Sequence, residues 1–240
     1  MVRLMVHQFH QELQRFLDLL FPPHCAGCQC SGHLLCSPCR QRIQPLASPR
    51  CQHCNGPLSP TGSCQQCRYH LLRLSGLRAA SLYQEPLRSC IHSLKYQGNT
   101  RLAEPLGLLL AEVYLTSGIQ ADIITPVPLH HERQRQRGFN QARLLAEVCA
   151  ARLDIPLQDT LLIRSRPTLA QVQLPANQRQ RNVAGAFLCT PTLPAGALRG
   201  RQLVLIDDVC TTGATLEACA APLFAAGARS VWGLVLARPT

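Results

Sequence analysis

Four Cys-x-x-Cys pairs within residues 25–67 limit what the front of this 240-residue chain can fold into. One such turn directs two thiolates at a metal ion, and two turns complete a tetrahedral zinc site. The spacing therefore predicts two structural zinc ions in a small module over residues 25–70, with Cys30 left over. We expect sequential ligation, although a cross-braced arrangement, in which alternate pairs share an ion, fits the same spacing. The two expected ligand sets are Cys25, Cys28, Cys36 and Cys39, then Cys51, Cys54, Cys64 and Cys67.

Residues 1–24 precede this module and carry apolar side chains at helical spacing, which predicts an amphipathic helix. His7, Glu12 and Arg15 interrupt the apolar pattern, so the segment does not match an export signal. No stretch of the sequence approaches the ~20 apolar residues of a membrane helix. We therefore expect a cytoplasmic protein, and reducing surroundings favour zinc over disulfides at the cysteine pairs.

The charge of the chain is strongly basic, with a formal net charge of +11. Arginine accounts for 23 of the 24 basic residues, and Lys95 is the single lysine. The planar guanidinium group suits bidentate recognition of phosphate. The composition therefore points to polyanions, such as phosphorylated metabolites or nucleic acid.

From residue 71 to residue 240, strand patterns alternate with helix patterns. The strand patterns are "LRAASLYQ", "ADIITPVPL", "TLLIRSR", "AGAFLCT", "RQLVLIDDV" and "SVWGLVLAR". This alternation predicts an α/β domain with a doubly wound parallel sheet. Ligands of such domains bind beyond the carboxyl ends of the strands, so the residues that follow each strand are the candidate site.

The stretch "VLIDDVCTTGATL", residues 204–216, has this position. Backbone N–H groups at a helix N-terminus, together with threonine hydroxyls, bind phosphate. The carboxylates of Asp207 and Asp208 can accept hydrogen bonds from the paired hydroxyls of a sugar, or help to hold Mg²⁺ on a ligand. A ribose 5-phosphate fits the whole stretch. An Asx turn before a capped helix would explain the threonines but not the two carboxylates.

The stretch resembles the 5-phosphoribosyl-1-pyrophosphate (PRPP) motif of type I phosphoribosyltransferases: an apolar strand, Asp-Asp, then Thr-Thr-Gly-x-Thr. With "LKYQGN", "PVPLHHERQRQRGFNQA", "RPTLAQVQLPANQRQRNVAGAF" and the cysteine module, the chain resembles the ComF/GntX family over nearly its full length. The resemblance implies a type I phosphoribosyltransferase-like domain after a double zinc ribbon, and Mg²⁺ bound with PRPP. The implied PRPP-binding residues are Asp207, Asp208, Thr211, Thr212, Gly213, Ala214 and Thr215.

The same resemblance indicates loops that would face the pyrophosphate of PRPP. Arginines there would neutralise charge on the leaving group. Residues 167–183 are polar, which indicates a flexible lid rather than a packed element. The implied loop residues are Lys95, Tyr96, Arg133, Arg137, Gly138, Asn140, Gln141, Gln171 and Arg179.

Two functional hypotheses follow. The first is an enzyme that transfers the phosphoribosyl group of PRPP to an acceptor that the sequence does not name. The second is a non-catalytic protein that uses the same fold to bind single-stranded DNA. The family is associated with natural competence and the use of incoming DNA, which would also make proteins of the competence machinery its partners. Phosphate contacts by the basic loops would suffice for non-specific binding of DNA.

Overall fold

The computed structural model describes residues 20–47, 49–64, 67, 73–167 and 176–239. The predicted helix over residues 1–24 lies almost entirely outside this part of the chain. The core is a four-stranded parallel sheet of β1 (Gly76–Leu82), β2 (Ile123–Pro126), β5 (Gln202–Val209) and β6 (Ser230–Arg238). From one edge of the sheet to the other, the strands lie in the order β1-β6-β5-β2.

Helices cover both faces of the sheet, as the alternating pattern predicts. A short helix, α1 (Ser37–Arg42), belongs to the cysteine-rich segment. The helices of the larger domain are α2 (Leu87–Tyr96), α3 (Ala103–Ser117), α4 (His131–Arg137), α5 (Gln141–Leu153), α6 (Ala176–Val183) and α7 (Ala214–Ala225), and a 3₁₀ turn (Thr100–Leu102) precedes α3. One face of the sheet packs against α2, α3 and α5, and the opposite face packs against α7.

Local sequence explains where the helices begin and end. The side chain of Asn140 accepts a hydrogen bond from the backbone N–H of Ala142 at 3.0 Å and so caps α5. Helix α3 ends at Gly118, which has a φ of 71°. This left-handed conformation favours glycine, and the helix therefore ends here.

Two of the six strands lie outside the main sheet. Strands β3 (Leu162–Arg164) and β4 (Phe187–Cys189) pair antiparallel with each other as a separate ribbon. Both edges of the main sheet are already covered: residues 156–158 bond to β2, and residues 53–55 bond to β1. The ribbon therefore packs on α7 through Leu162 and Phe187. The sequence pattern predicted strands β3 and β4 correctly. It could not predict that they pair with each other, because this depends on which edges of the main sheet are free.

Residues 167–183 contain more regular structure than their polar sequence predicts. Helix α6 occupies residues 176–183, and Val183 at its end is buried against the α7 side of the core. The prediction that this whole stretch is irregular was therefore wrong for its second half. In the part of the chain that the structure describes, no helix has the length and apolar character needed to cross a membrane.

Candidate functional site

Eight cysteines form two clusters, each with four sulfur atoms within 4.8 Å of one another. The clusters contain the two sets expected from sequential ligation, so the cross-braced alternative does not apply. In the second cluster, the sulfurs of Cys54 and Cys64 are 3.4 Å apart and those of Cys51 and Cys67 are 3.6 Å apart. Tetrahedral zinc with bonds of about 2.3 Å places its sulfurs about 3.8 Å apart, so these donor sets fit zinc.

Asp207 and Asp208 lie at the carboxyl end of β5 and point to opposite faces of the sheet, because side chains alternate along a strand. Asp208 continues the row of Val204 and Ile206, which faces α2, α3 and α5. Asp207 continues the row of Leu203 and Leu205, which faces α7. The two carboxylates therefore serve two different environments across one strand end.

Asp208 is buried and held by side chains from two helices. The ammonium group of Lys95, from the last turn of α2, forms an ion pair with its Oδ2 atom. The Nε2 atom of Gln141, at the start of α5, donates a hydrogen bond to its Oδ1 atom at 3.2 Å. The Oε1 atom of Gln141 in turn accepts a hydrogen bond from Arg137. A chain of polar contacts thus joins four of the residues singled out in the sequence.

These environments move the pKa values of the two carboxyl groups apart. Burial raises the pKa of Asp207 well above its usual value, and the negative charge of Asp208 adds to this effect. Burial would also raise the pKa of Asp208, but the ammonium group of Lys95 outweighs it and holds that pKa below its usual value. Asp208 therefore favours its charged form, whereas Asp207 favours its neutral form, relative to an ordinary aspartate.

The threonine-rich loop follows β5 and leads into α7. Gly213 has a φ of 85° and is the residue before the helix. The N–H groups of the first turn of a helix have no partner within that helix, which is why helix N-termini can bind anions. The hydroxyl oxygen of Thr212 accepts a weak hydrogen bond from the N–H of Ala214 at 3.4 Å. A small concavity beside this loop is lined by Asp207, Val209, Cys210, Thr211, Gly213, Ala214, Thr215 and Leu216.

On the Asp208 side lies an open cleft of about 380 Å³. Its cationic side chains belong to Lys95, Arg133 and Arg137. Tyr96 is 63% exposed, and the guanidinium of Arg137 lies 5.4 Å from the centre of its ring. The cleft is lined by Lys95, Tyr96, Gly98, Arg133, Gln136, Arg137 and Phe139. The structure thus brings the separate "LKYQG" and "ERQRQRGF" segments to one place.

Asn140, Gly138 and Arg179 are not among the residues that line the cleft. Asn140 is buried, and its side chain both caps α5 and donates to the carbonyl of Val127 at 3.0 Å. Gly138 ends α4 with a φ of 84°. Arg179 lies on α6, and Gln171 lies outside the described residues.

Sequence reasoning did not single out Arg164 or Arg238. Arg164, on β3, is half-buried, with its guanidinium 5.3 Å from the centre of the Phe187 ring. Burial lowers its pKa, and nearby charges include Arg133 and Asp207. The sequence "LLIRS" begins with three apolar residues, so the alternation of side chains along a strand does not reveal that Ile163 faces outward and Arg164 inward. Arg238 contacts the cysteine-rich segment, and no pattern in the sequence around Arg238 predicts this contact.

Comparison with known proteins agrees with this architecture. The double zinc ribbon domain matches residues 16–68, and the phosphoribosyl transferase domain matches residues 140–239. Competence protein F of Haemophilus influenzae is 32% identical over 225 residues, which cover 89% of this chain and 96% of that protein. The chain belongs to the ComF family.

Further ComF relatives carry related names. The DNA utilization protein YhgH of Escherichia coli K12 is 35% identical over 83% of this chain and 88% of its own length. Competence protein ComFC of Bacillus subtilis is 27% identical, with coverage of 85% and 84% respectively. The family places a zinc ribbon before a phosphoribosyltransferase-type domain, and both parts of this ComF protein have the corresponding structure.

Proposed function

We propose that this protein binds PRPP across the carboxyl end of β5 and transfers its phosphoribosyl group to an acceptor. The observation that carries the proposal is the position of the two aspartates between two anion-binding regions. Asp207 adjoins the loop over residues 211–215, and Asp208 adjoins the cleft that contains Lys95 and Arg137. PRPP has the matching order of groups: a 5-phosphate, a ribose diol and a pyrophosphate.

In this arrangement the 5-phosphate binds the N-terminus of α7, where the N–H groups and the loop hydroxyls donate to it. The ribose diol donates hydrogen bonds to the aspartates. Mg²⁺ bound with PRPP would supply charge neutralisation at the pyrophosphate, and the carboxylates at the end of β5 are the groups that would help to hold it. The eight cysteines hold two zinc ions away from the ligand, and a reducing compartment such as the cytoplasm keeps those thiolates available.

The reaction needs no nucleophilic side chain. The bond between the anomeric carbon and the pyrophosphate oxygen breaks, pyrophosphate leaves with the electron pair, and the acceptor forms the new bond to that carbon. The positive charges of Arg133, Arg137 and Lys95 would stabilise the departing pyrophosphate.

The test is calorimetric titration with ribose 5-phosphate and with 2-deoxyribose 5-phosphate, followed by PRPP with Mg²⁺. The wild type should prefer ribose 5-phosphate. Asp208→Asn should lose much of this preference and bind about 10- to 100-fold more weakly, which corresponds to one charge-assisted hydrogen bond. Equal binding of the two sugars by the wild type would contradict the role of the diol.

A second candidate function is binding of single-stranded DNA. It is favoured by Arg133, Arg135 and Arg137 on α4 beside the exposed ring of Tyr96. Arginines neutralise phosphates along a strand, and an exposed ring next to them can stack on a base. The names of the relatives, which refer to competence and DNA utilisation, agree with this candidate. Binding of a labelled oligonucleotide without any release of pyrophosphate from PRPP would favour it over the enzyme.

A further inference from the structure

The second cysteine cluster sits directly on the outer edge of strand β1. The backbone N–H of Leu77 donates to the carbonyl of His53 at 2.7 Å. Two residues further along, the N–H of Ala79 donates to the side-chain oxygen of Asn55 at 3.0 Å. The turn that contains Cys51 and Cys54 therefore takes the place that a neighbouring strand would have. It covers an edge that would otherwise expose unpaired backbone groups.

Arg238 connects this turn to the site edge of the sheet. It is the last residue of β6 and is only 3% exposed. Its guanidinium group donates a hydrogen bond to the carbonyl oxygen of Cys54. A buried arginine requires such partners, because an uncompensated buried charge is strongly unfavourable. The conformation of the Cys54 turn and the position of Arg238 are thus interdependent.

Arg238 is also connected, through Cys210, to the loop over residues 211–215. The backbone N–H of Cys210 donates to the carbonyl of Ala237, the neighbour of Arg238, at 3.0 Å. Burial raises the pKa of the Cys210 thiol to about 12, although the charge of Arg238 and the N–H of Gly213 both act to lower it. The thiol of Cys210 in turn accepts a hydrogen bond from the N–H of Gly213, the residue before α7. Hydrogen bonds therefore connect Cys54 to Arg238, and they connect Ala237, its neighbour in the chain, to Cys210 and Gly213.

A second connection starts where the chain leaves the cluster. The carboxylate of Glu217, in the first turn of α7, accepts hydrogen bonds from the backbone N–H groups of Arg73 and Leu74, at 2.7 and 3.0 Å. Helix α7, which follows the loop over residues 211–215, is thus hydrogen-bonded to the segment that follows the second cluster.

We infer that zinc at the second cluster and the order of the loop over residues 211–215 are coupled, with Arg238 as the positioning residue between them. Zinc fixes the turn from Cys51 to Cys54, because binding energy at a structural site is folding energy for its module. The fixed carbonyl of Cys54 holds Arg238, which in turn holds the strand end beside Cys210. The coupling acts on the order of the loop, so it affects the binding of any anion at this loop.

Amide hydrogen exchange of the zinc-loaded full chain, followed for residues 208–216, tests the coupling. Arg238→Met should speed exchange in this segment roughly tenfold, the effect of losing one hydrogen bond made by a charged group. Arg78→Met is the matched control. Arg78 also donates to a carbonyl of the same turn, that of Gln52 at 2.7 Å, but from the middle of the sheet edge. Equal exchange over residues 208–216 in the two variants would overturn the inference.

A second pair of variants removes a metal ligand instead of the arginine. Cys64→Ser, in the second cluster, should speed exchange over residues 208–216, whereas Cys28→Ser, in the first cluster, should leave it unchanged. The same change in both variants, or in neither, would also overturn the coupling. This pair decides the matter if Arg238→Met fails to fold.

The coupling must be reciprocal, since two linked equilibria affect each other equally. Saturating inorganic phosphate should therefore raise the zinc affinity of Cys28→Ser protein, in which only the second cluster is complete, as measured by equilibrium competition with a chelator. Adding Arg238→Met should abolish this effect, and persistence of the effect would contradict the role of Arg238. If phosphate does not bind at all, the proposed function fails, and the exchange measurements still decide the coupling.

Discussion

Lys95 and Asp208 form an ion pair across the interface between the end of α2 and the end of β5. Their side chains are 20% and 4% exposed, so the pair is largely removed from water. Burial would lower the pKa of Lys95, but the carboxylate of Asp208 outweighs this effect and raises it. The one lysine of this arginine-rich chain therefore supports an anion in the candidate site.

Replacing Lys95 with methionine should destabilise the protein at neutral pH. Leaving a buried carboxylate without its paired cation lowers the free energy of unfolding by about 3–5 kcal/mol. Because the Lys95 side chain is partly exposed, we expect a loss at the lower end of this range. Because the pKa of Asp208 is lowered in the folded state, its contribution is present above the unfolded value of about 3.9 and is lost as the pH falls through the folded value. Urea unfolding should therefore show a smaller difference between variant and wild type at pH 3.5 than at pH 7. An equal difference at both values would contradict the ion-pair explanation.

Asp207→Asn should stabilise the fold while weakening ligand binding. The pKa of Asp207 is raised by burial and by Asp208, so its ionisation opposes folding as the pH rises above the unfolded value. The variant lacks this opposing contribution, and its melting temperature should exceed that of the wild type increasingly as the pH rises above the unfolded value of about 3.9. Asp208→Asn is the matched control and should have a lower melting temperature, because Lys95 loses its partner. Two variants that both melt lower would show that the two carboxylates do not have the separate roles derived above.

Gly213→Val should impair phosphate binding through the backbone and through bulk. A φ of 85° strains any residue with a side chain, and a β-branched side chain strains it most. The cost is about 1–3 kcal/mol. Gly196→Val is the control, since Gly196 also has a positive φ, of 76°, and a Cβ there meets no atom within 4 Å. Both variants should lose stability by urea unfolding, but only Gly213→Val should lose binding of ribose 5-phosphate in calorimetry.

Metal analysis should find two zinc ions per chain. Cys30→Ser should keep both, because the sulfur of Cys30 belongs to neither cluster of four. Cys28→Ser should keep about one, because it removes a ligand from the first cluster. Native mass spectrometry counts the ions directly. Retention of two ions by Cys28→Ser and loss of one by Cys30→Ser would exchange the roles of these two cysteines.

Any binding of single-stranded DNA should depend strongly on salt. Residues 130–185 hold nine arginines against four acidic residues. Replacing Arg133, Arg135 and Arg137 together with glutamine should lower the slope of log affinity against log salt by about two, the value expected for three phosphate contacts with a single strand. Fluorescence anisotropy between 50 and 200 mM salt measures the slope. An unchanged slope would exclude α4 from the DNA-binding surface.

The sequence by itself determined the parts of this protein that depend on short-range pattern. Paired cysteines three residues apart predict zinc turns, because the turn alone brings the two sulfurs together. The apolar run before Asp207 predicts a buried strand of a parallel sheet, and Thr211–Thr215 predict the helix start that follows. Gly118 and Asn140 mark helix ends by their own backbone and side-chain chemistry.

Only the tertiary structure decided what meets across the chain. The sequential grouping of cysteines, the antiparallel pairing of β3 with β4 and the contact between Arg238 and Cys54 join segments whose spacing carries no local signal. The two adjacent aspartates also became different only in the fold, since the sheet sends their side chains to opposite faces. Lys95 and Gln141 then fix one of them, while the other adjoins the loop over residues 211–215. Such differences follow from burial and from neighbours that are distant in sequence, and these exist only once the layers have packed.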